Sequence, residues 1–217
     1  VALPGDPVLY LHGFASSPAS RKAVAFRTHA EAAGLAIECL DCRQPSMEQL
    51  SLEAIVAHAQ RALGRVARPA WVVGSSLGGL AALHLALRDH RVRGLMLLAP
   101  AFELVSRWRA RLGPDAWDAW QRTGYIAVDD HALRRQSRVH HAFVEELDAM
   151  ERARGERSAT VPTTIVHGIA DDVVPVGGSV AYAARSGARL VQVDDDHELG
   201  ASLDLILAEW DALRARS

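Results

Sequence analysis

The chain has 217 residues, 49% of them hydrophobic and 23% charged, with a formal net charge of −2. Those values fit one globular unit with a real core and exclude a disordered or fibrous chain. The charge offers no general attraction to nucleic acid or anionic lipid, and no apolar run reaches the length of a membrane span.

In chain order, Val8-Leu9-Tyr10-Leu11 reads as a buried strand. It runs into the turn-rich His12-Gly13-Phe14-Ala15-Ser16-Ser17-Pro18. A helix is expected from about Ser20 to Ala33, closed by Gly34. The short strand Ile37–Leu40 follows. A helix is then expected over Met47 to Val66, with Leu50, Ala54, Ile55, Ala59 and Leu63 on one face. Trp71–Val73, Gly94–Leu98, Thr163–Val166 and Arg189–Val193 are further apolar strands. Helices over Val176–Arg185 and Ala201–Arg214 close the chain. Strands that are apolar without alternation are buried on both faces, which predicts a doubly wound, mostly parallel α/β sheet of about six strands.

One segment interrupts the alternation of strand and helix. Between about 102 and 160 no strand is evident, and helical stretches are expected near Glu103–Leu112, Pro114–Arg122 and Ala142–Arg154. The segment reads as a helical cap inserted into a single domain spanning 1–217, not as a second domain.

The N-terminal Val1-Ala2-Leu3-Pro4-Gly5 lacks the charged and apolar regions of a signal peptide. Cys39 and Cys42 form C-x-x-C without further ligands at zinc spacing and without a helix N-terminus beside them, so they read as ordinary thiols in a reducing cytoplasm. Lys22 is the sole lysine, and the abundance of arginine and alanine suggests a GC-rich coding genome more than phosphate binding.

Gly74-Ser75-Ser76-Leu77-Gly78 matches G-x-S-x-G between a strand and a helix, the context of a nucleophile elbow. Only Ser76 has glycine two residues away on both sides; Ser75 would have Val73 and Leu77 there. A serine nucleophile needs a base, and the base needs an orienting acid. His167-Gly168-Ile169-Ala170-Asp171-Asp172 follows the next-to-last strand, and Asp194-Asp195-Asp196-His197-Glu198 follows the last. The order Ser, Asp, His along the chain is that of α/β hydrolases, and strand C-terminal ends border the ligand crevice of such sheets. Ser76, Asp171 and His197 are therefore the expected nucleophile, acid and base, with Asp171 preferred to Asp172. His167 is expected to be structural, and the carboxylates before His197 are expected to cap their loop. The backbone N–H groups of Phe14 and Leu77 are the expected oxyanion donors.

These motifs carry a resemblance. Tyr10-Leu11-His12-Gly13-Phe14 with Ser16-Ser17-Pro18 and Lys22-Ala23, the elbow Val73–Gly79, and the closing acid and histidine loops resemble the small YqiA-like esterase group of the α/β hydrolases. The inserted segment, with Trp120, Gly124 and His141-Ala142-Phe143-Val144-Glu145, is also similar to serine hydrolases that cleave acyl-glucuronides and protein-bound acyl thioesters. The resemblance implies esterase or thioesterase activity on a small-molecule acyl substrate, with no cofactor and no metal.

Trp108 and Trp120 are candidate substrate-binding residues, as an apolar wall for an acyl chain; with Trp117 they can equally be glue between insertion and core. Arg107, Arg109 and Arg111 can face an anionic leaving group or simply form a solvated helix face. A peptidase or C–C-bond hydrolase would use the same three residues, and a non-catalytic binding protein would be expected to lack one of them.

Overall fold

A computed structural model describes residues 5–216; the N-terminal segment read as lacking a signal peptide lies largely outside them. The strands β1 (Val8–Leu11), β2 (Ile37–Leu40), β3 (Ala70–Ser75) and β4 (Val92–Leu98) pair in parallel. Two further parallel strands, separated from β4 by an inserted segment, complete a six-stranded sheet. The insertion holds a helix, α4 (Leu104–Thr123), a hairpin of β5 (Tyr125–Asp130) and β6 (Arg135–His140), and α5 (Ala142–Arg154). The last two strands of the sheet are then β7 (Thr163–Gly168) and β8 (Arg189–Val193), and the order is β2-β1-β3-β4-β7-β8. The expected doubly wound architecture is what the chain adopts.

The strand order reverses at β1. One crossover, α1 (Arg21–Ala32), carries the chain outward to β2; the next, α2 (Leu52–Gly64), returns it to β3 on the other side of β1. The loops leaving β1 and β3 therefore diverge at the sheet's C-terminal edge and open a crevice between them. His12-Gly13-Phe14 and Ser76 are the first residues of those two loops.

Each face of the sheet is covered by helices. On one face α1 and the last helix, α7 (Leu203–Ala215), pack Phe26 and Trp210 against Tyr10 and Trp71. The Phe26–Trp210 and Trp71–Trp210 ring pairs stand edge to face at 5.9 and 5.6 Å, a favoured geometry for aromatic pairs. The opposite face holds α2, α3 (Leu77–Ala86) and the insertion, through Ile55, Leu83, Trp117, Trp120 and Phe143. Cys39 packs toward the first core and Cys42 belongs to the second, so the two thiols lie on opposite faces of the sheet. Three residues apart on an extended chain, side chains point to opposite sides.

Two expectations are corrected. The second helix begins at Leu52 and not at Met47, because the Ser51 hydroxyl accepts from Ala54 N–H at 2.9 Å and caps the helix there. Met47 and Leu50 are buried, but from the preceding turn. The insertion is also not purely helical. Its β5–β6 hairpin pairs Ile126 with Val139 and Val128 with Ser137, and half-buries Ile126 and Val128 by a period-two alternation. The break between the two expected helical stretches stands at Gly113, whose φ of 71° kinks α4 just before Pro114. Among the described residues no helix is long and apolar enough to cross a membrane.

Candidate active site

The elbow follows from the glycines. A Cβ on Gly78 would overlap the backbone of Leu11 and His12, and one on Gly74 would overlap Gly78 and Gly79. Only glycine lets strand, turn and helix pass this closely. Ser76 itself sits at φ 52°, ψ −117°, a backbone conformation that a side chain disfavours and that tertiary structure must hold in place. The hold includes Ser76 N–H to Leu98 O at 2.9 Å and Ala101 N–H to Ser76 O at 3.1 Å. Ser76 directly precedes α3, so its hydroxyl stands at the positive end of a helix.

His197 bridges the serine to the acid. Its Nε2 lies 3.0 Å from Ser76 Oγ, and its Nδ1 lies 2.7 Å from Asp171 Oδ2. The carboxylate can only accept, so Nδ1 carries the proton and Nε2 is left to accept from the serine hydroxyl. Asp171 is enclosed: its other oxygen accepts from Val173 N–H at 2.9 Å and Val174 N–H at 2.7 Å. Burial opposes its ionisation, but hydrogen bonds from His167, His197 and Val174 outweigh burial and hold the carboxyl well below the ordinary range. Asp172 is exposed and makes no such contacts among the described residues. Before His197, Asp195 accepts from Ala201 N–H, Ser202 N–H and Ser202 Oγ and so ties the start of the following turn.

The loop after β1 lies against Ser76; a Cβ on Gly13 would fall 3.2 Å from Ser76 Cβ. The N–H groups of Phe14 and Leu77 donate to no backbone or side-chain acceptor among the described residues, and both residues line the cavity that holds Ser76 and His197. His12 fixes this loop from behind. Its Nδ1 donates to Gly13 O at 2.8 Å, and its Nε2 accepts from Cys42 N–H at 2.9 Å. With Nε2 thus engaged as an acceptor, the Asp41 carboxylate 3.4 Å away is not its hydrogen-bond partner. Burial lowers the His12 pKa, in keeping with a neutral ring.

The cavity encloses about 810 Å³. Its apolar wall comes from α4 and the hairpin: Leu104, Trp108, Leu112, Ile126 and Val128. Trp108 stands edge-on to Phe14 at 5.0 Å. Trp120 does not reach the cavity. It is 1% exposed, its Nε1 donates to Val139 O at 3.0 Å, and it backs Trp108 at 5.6 Å. Trp117 is buried beside it, with the Arg109 guanidinium 5.5 Å above its ring. The sequence-derived pairing of Trp108 with Trp120 as a wall is thus divided between a lining residue and a packing residue. Arg111 lines the cavity rim, whereas Arg107 and Arg109 do not.

Sequence reading missed the hairpin's share of the wall. The alternation Ile126-Ala127-Val128 followed by Asp129-Asp130 was the available signal. The hairpin tip also reaches the core, where Ala132 N–H donates to Ala15 O at 3.2 Å, next to Phe14.

The fold is that of the α/β hydrolases. Similar solved structures include the alpha/beta hydrolase domain-containing protein 10 from mouse, 22% identical at a TM-score of 0.80 over 100% of this chain and 93% of that one. Est1E from Butyrivibrio proteoclasticus is 20% identical at a TM-score of 0.78, with the same coverages of 100% and 93%. A monoacylglycerol lipase from Paleococcus ferrophilus is 17% identical at 0.75, covering 98% of this chain and 97% of its own. No curated protein sequence matches the chain. Residues 7–206 match the uncharacterised protein family UPF0227, and the chain belongs to that family.

Proposed function

We propose that this protein is a serine hydrolase that cleaves carboxylic esters or acyl thioesters of small molecules through an acyl-enzyme. The observation that carries the reading is the hydrogen-bonded line from Ser76 Oγ to His197 Nε2 (3.0 Å) and from His197 Nδ1 to Asp171 Oδ2 (2.7 Å). It ends beside two backbone N–H groups with no protein acceptor among the described residues, in a cavity with one apolar wall.

Ser76 Oγ attacks the acyl carbon while its proton passes to His197 Nε2. The carbonyl oxygen becomes an oxyanion held by the N–H groups of Phe14 and Leu77, which act without reorganising. Asp171 keeps the imidazole oriented and stabilises it once charged. His197 gives the proton to the leaving oxygen or sulfur, and the bond to the acyl carbon breaks. Water then enters, loses a proton to His197 and releases the acid and Ser76. Trp108, Leu104 and Ile126 shelter the acyl chain. The side chains and amides of this chain supply every step, so no cofactor is assigned.

Fluorophosphonate labelling followed by a panel of esters and thioesters of increasing acyl length tests this. Covalent labelling of Ser76 together with turnover on the panel is the expected result. Failure of Ser76 to react with any phosphonate would overturn it.

A further inference from the structure

Of the 24 lysines and arginines in the chain, Lys22 alone is lysine. It does not sit where a surface charge would. Lys22, Phe26 and Ala30, each four residues from the next, belong to the buried stripe of α1, and Lys22 is only 9% exposed. A buried ammonium needs partners. Lys22 Nζ donates to the Glu198 backbone carbonyl at 2.8 Å and lies 3.3 Å from Glu198 Oε2.

The carbonyl is the stronger of these contacts. The Glu198 side chain is 81% exposed, so water and salt screen the ion pair. The carbonyl is closer and receives a charge-assisted hydrogen bond. One nitrogen serving two oxygens suits a point charge on a slim stem, and not the flat, five-donor fork of arginine. That accounts for a lysine here in a chain that otherwise uses arginine.

Glu198 directly follows His197. Residues 194–202 are held largely by bonds among themselves, with Asp196 accepting from Glu198 N–H and Asp195 accepting from Ala201 and Ser202 N–H. Ahead of His197, Ala170 N–H donates to Asp195 O at 3.1 Å and ties this loop to the acid loop. For the backbone of residues 198–200, the bond from Lys22 is the one hydrogen bond to another element among the described residues.

The peptide that Lys22 holds is a strained one. Leu199 sits at φ 53°, an uncommon conformation for leucine, with its side chain buried in the core of Tyr10, Phe26 and Trp210. With that side chain seated, φ at Leu199 decides where the Glu198 carbonyl points. Lys22 holds the carbonyl in an orientation that leucine by itself resists.

Resting on the hydrolase reading above, we propose that Lys22 is a positioning residue for the base. Through the Glu198 carbonyl it fixes the backbone beside His197 and so keeps Nε2 at 3.0 Å from Ser76 Oγ. Lys22 also borders the cavity, so the rival role is direct contact with substrate, and kinetics separate the two.

The test is Lys22→Met, which keeps an unbranched stem and removes the donor. On a neutral ester such as 4-nitrophenyl butyrate, kcat should fall by on the order of ten- to a hundredfold with KM within about twofold of wild type, as for loss of a charged hydrogen bond that orients a reacting group. Phosphonate labelling of Ser76 should slow by a similar factor, because it needs the same base. Glu198→Gln removes the ion pair and keeps the carbonyl, and should cost less than about threefold. A raised KM with kcat retained would make Lys22 a substrate contact. Equal losses in the two variants would make the exposed ion pair the working contact. Either result overturns the proposal.

Proton NMR reads the base without turnover. The proton between His197 Nδ1 and Asp171 Oδ2, 2.7 Å apart, should give a far-downfield resonance in wild type and a broadened or missing one in Lys22→Met. The Trp120 indole N–H, bonded to Val139 O in the insertion, should be unchanged and reports that the variant is folded. Where Lys22→Met loses that signal too, Lys22→Arg replaces it; the charge is kept, and both kcat and the downfield resonance should fall between wild type and loss. A resonance as sharp in the folded variant as in wild type overturns the proposal. Lys22 variants that behave as wild type while Ser76 still labels leave the hydrolase reading intact. Loss of the resonance in a protein whose Ser76 never labels does the reverse.

Discussion

His167 Nε2 lies 3.2 Å from Asp171 Oδ2, the same carboxylate oxygen that accepts from His197 Nδ1 at 2.7 Å. Nε2 also lies 2.7 Å from Val174 O, and a carbonyl only accepts, so this nitrogen carries a proton that the two oxygens share. On its other side Nδ1 pairs with Ser179 Oγ at 2.7 Å. His167 thus fastens the acid loop to α6 (Gly177–Ser186) and helps keep Asp171 ionised, with no route to the serine.

That geometry separates two adjacent carboxylates. Asp171→Asn should lower kcat by on the order of 10⁴, because the amide favours the wrong imidazole tautomer. Asp172→Asn, at an exposed position, should cost less than about threefold, within the ±0.5 kcal/mol typical of surface changes. Steady-state kinetics on one ester decides; equal losses would mean that the acid is misassigned.

The adjacent serines separate in the same way. Ser76→Ala should abolish covalent labelling by a fluorophosphonate, and Ser75→Ala should still take the label. Intact-protein mass spectrometry reads both. A label that persists in Ser76→Ala and disappears in Ser75→Ala would falsify the assignment of the nucleophile.

The tryptophans of the insertion should part company. Trp108 borders the cavity, so Trp108→Ala should shift the preference between short and long acyl chains by about 1–3 kcal/mol. Trp120 is buried and anchors the hairpin through Val139 O, so Trp120→Ala should cost about 3–5 kcal/mol of stability. Chain-length profiles and denaturant melts of both variants check this. A Trp108→Ala enzyme with the wild-type profile would reduce the insertion to a cover.

Acid should loosen the contact between α3 and α5. Glu151 accepts from His84 at 2.7 Å and from Arg154 at 3.0 and 2.9 Å. Burial works against its charge, yet those bonds lower its pKa from 4.5 to about 2. A carboxyl depressed in the folded state stabilises above its unfolded pKa, and that stability drains away as pH falls from about 5 toward 2. The contribution is on the order of 2–3 kcal/mol. Glu151→Gln should therefore be less stable than wild type at pH 7 and show a flatter decline in urea midpoint between pH 6 and 3. Asp171 titrates in the same direction, so the decline should shrink and not vanish. Parallel curves for the two proteins would contradict this.

The sequence by itself determined the sheet and the order of the candidate site residues. Continuous apolar strands such as Trp71–Val73 and Gly94–Leu98 fit only a sheet buried on both faces, and Gly74 and Gly78 mark where strand and helix must nearly touch. These are local constraints, written within a few residues of the feature they impose. Tertiary structure decided what depends on distant partners. The hairpin Tyr125–His140 is half-polar and short; it holds because Trp120 and the loop before α2 lie behind it, with Arg138 paired to Glu48 at 2.7 Å. Whether Trp108 or Trp120 meets the cavity depends on which side of α4 faces Phe14, set by the kink at Gly113. That His167 and His197 meet on one oxygen of Asp171 could not be read from the chain. Nothing local distinguishes a histidine that reaches a serine from one that only braces a loop, because the partner depends on what the fold brings within hydrogen-bonding distance.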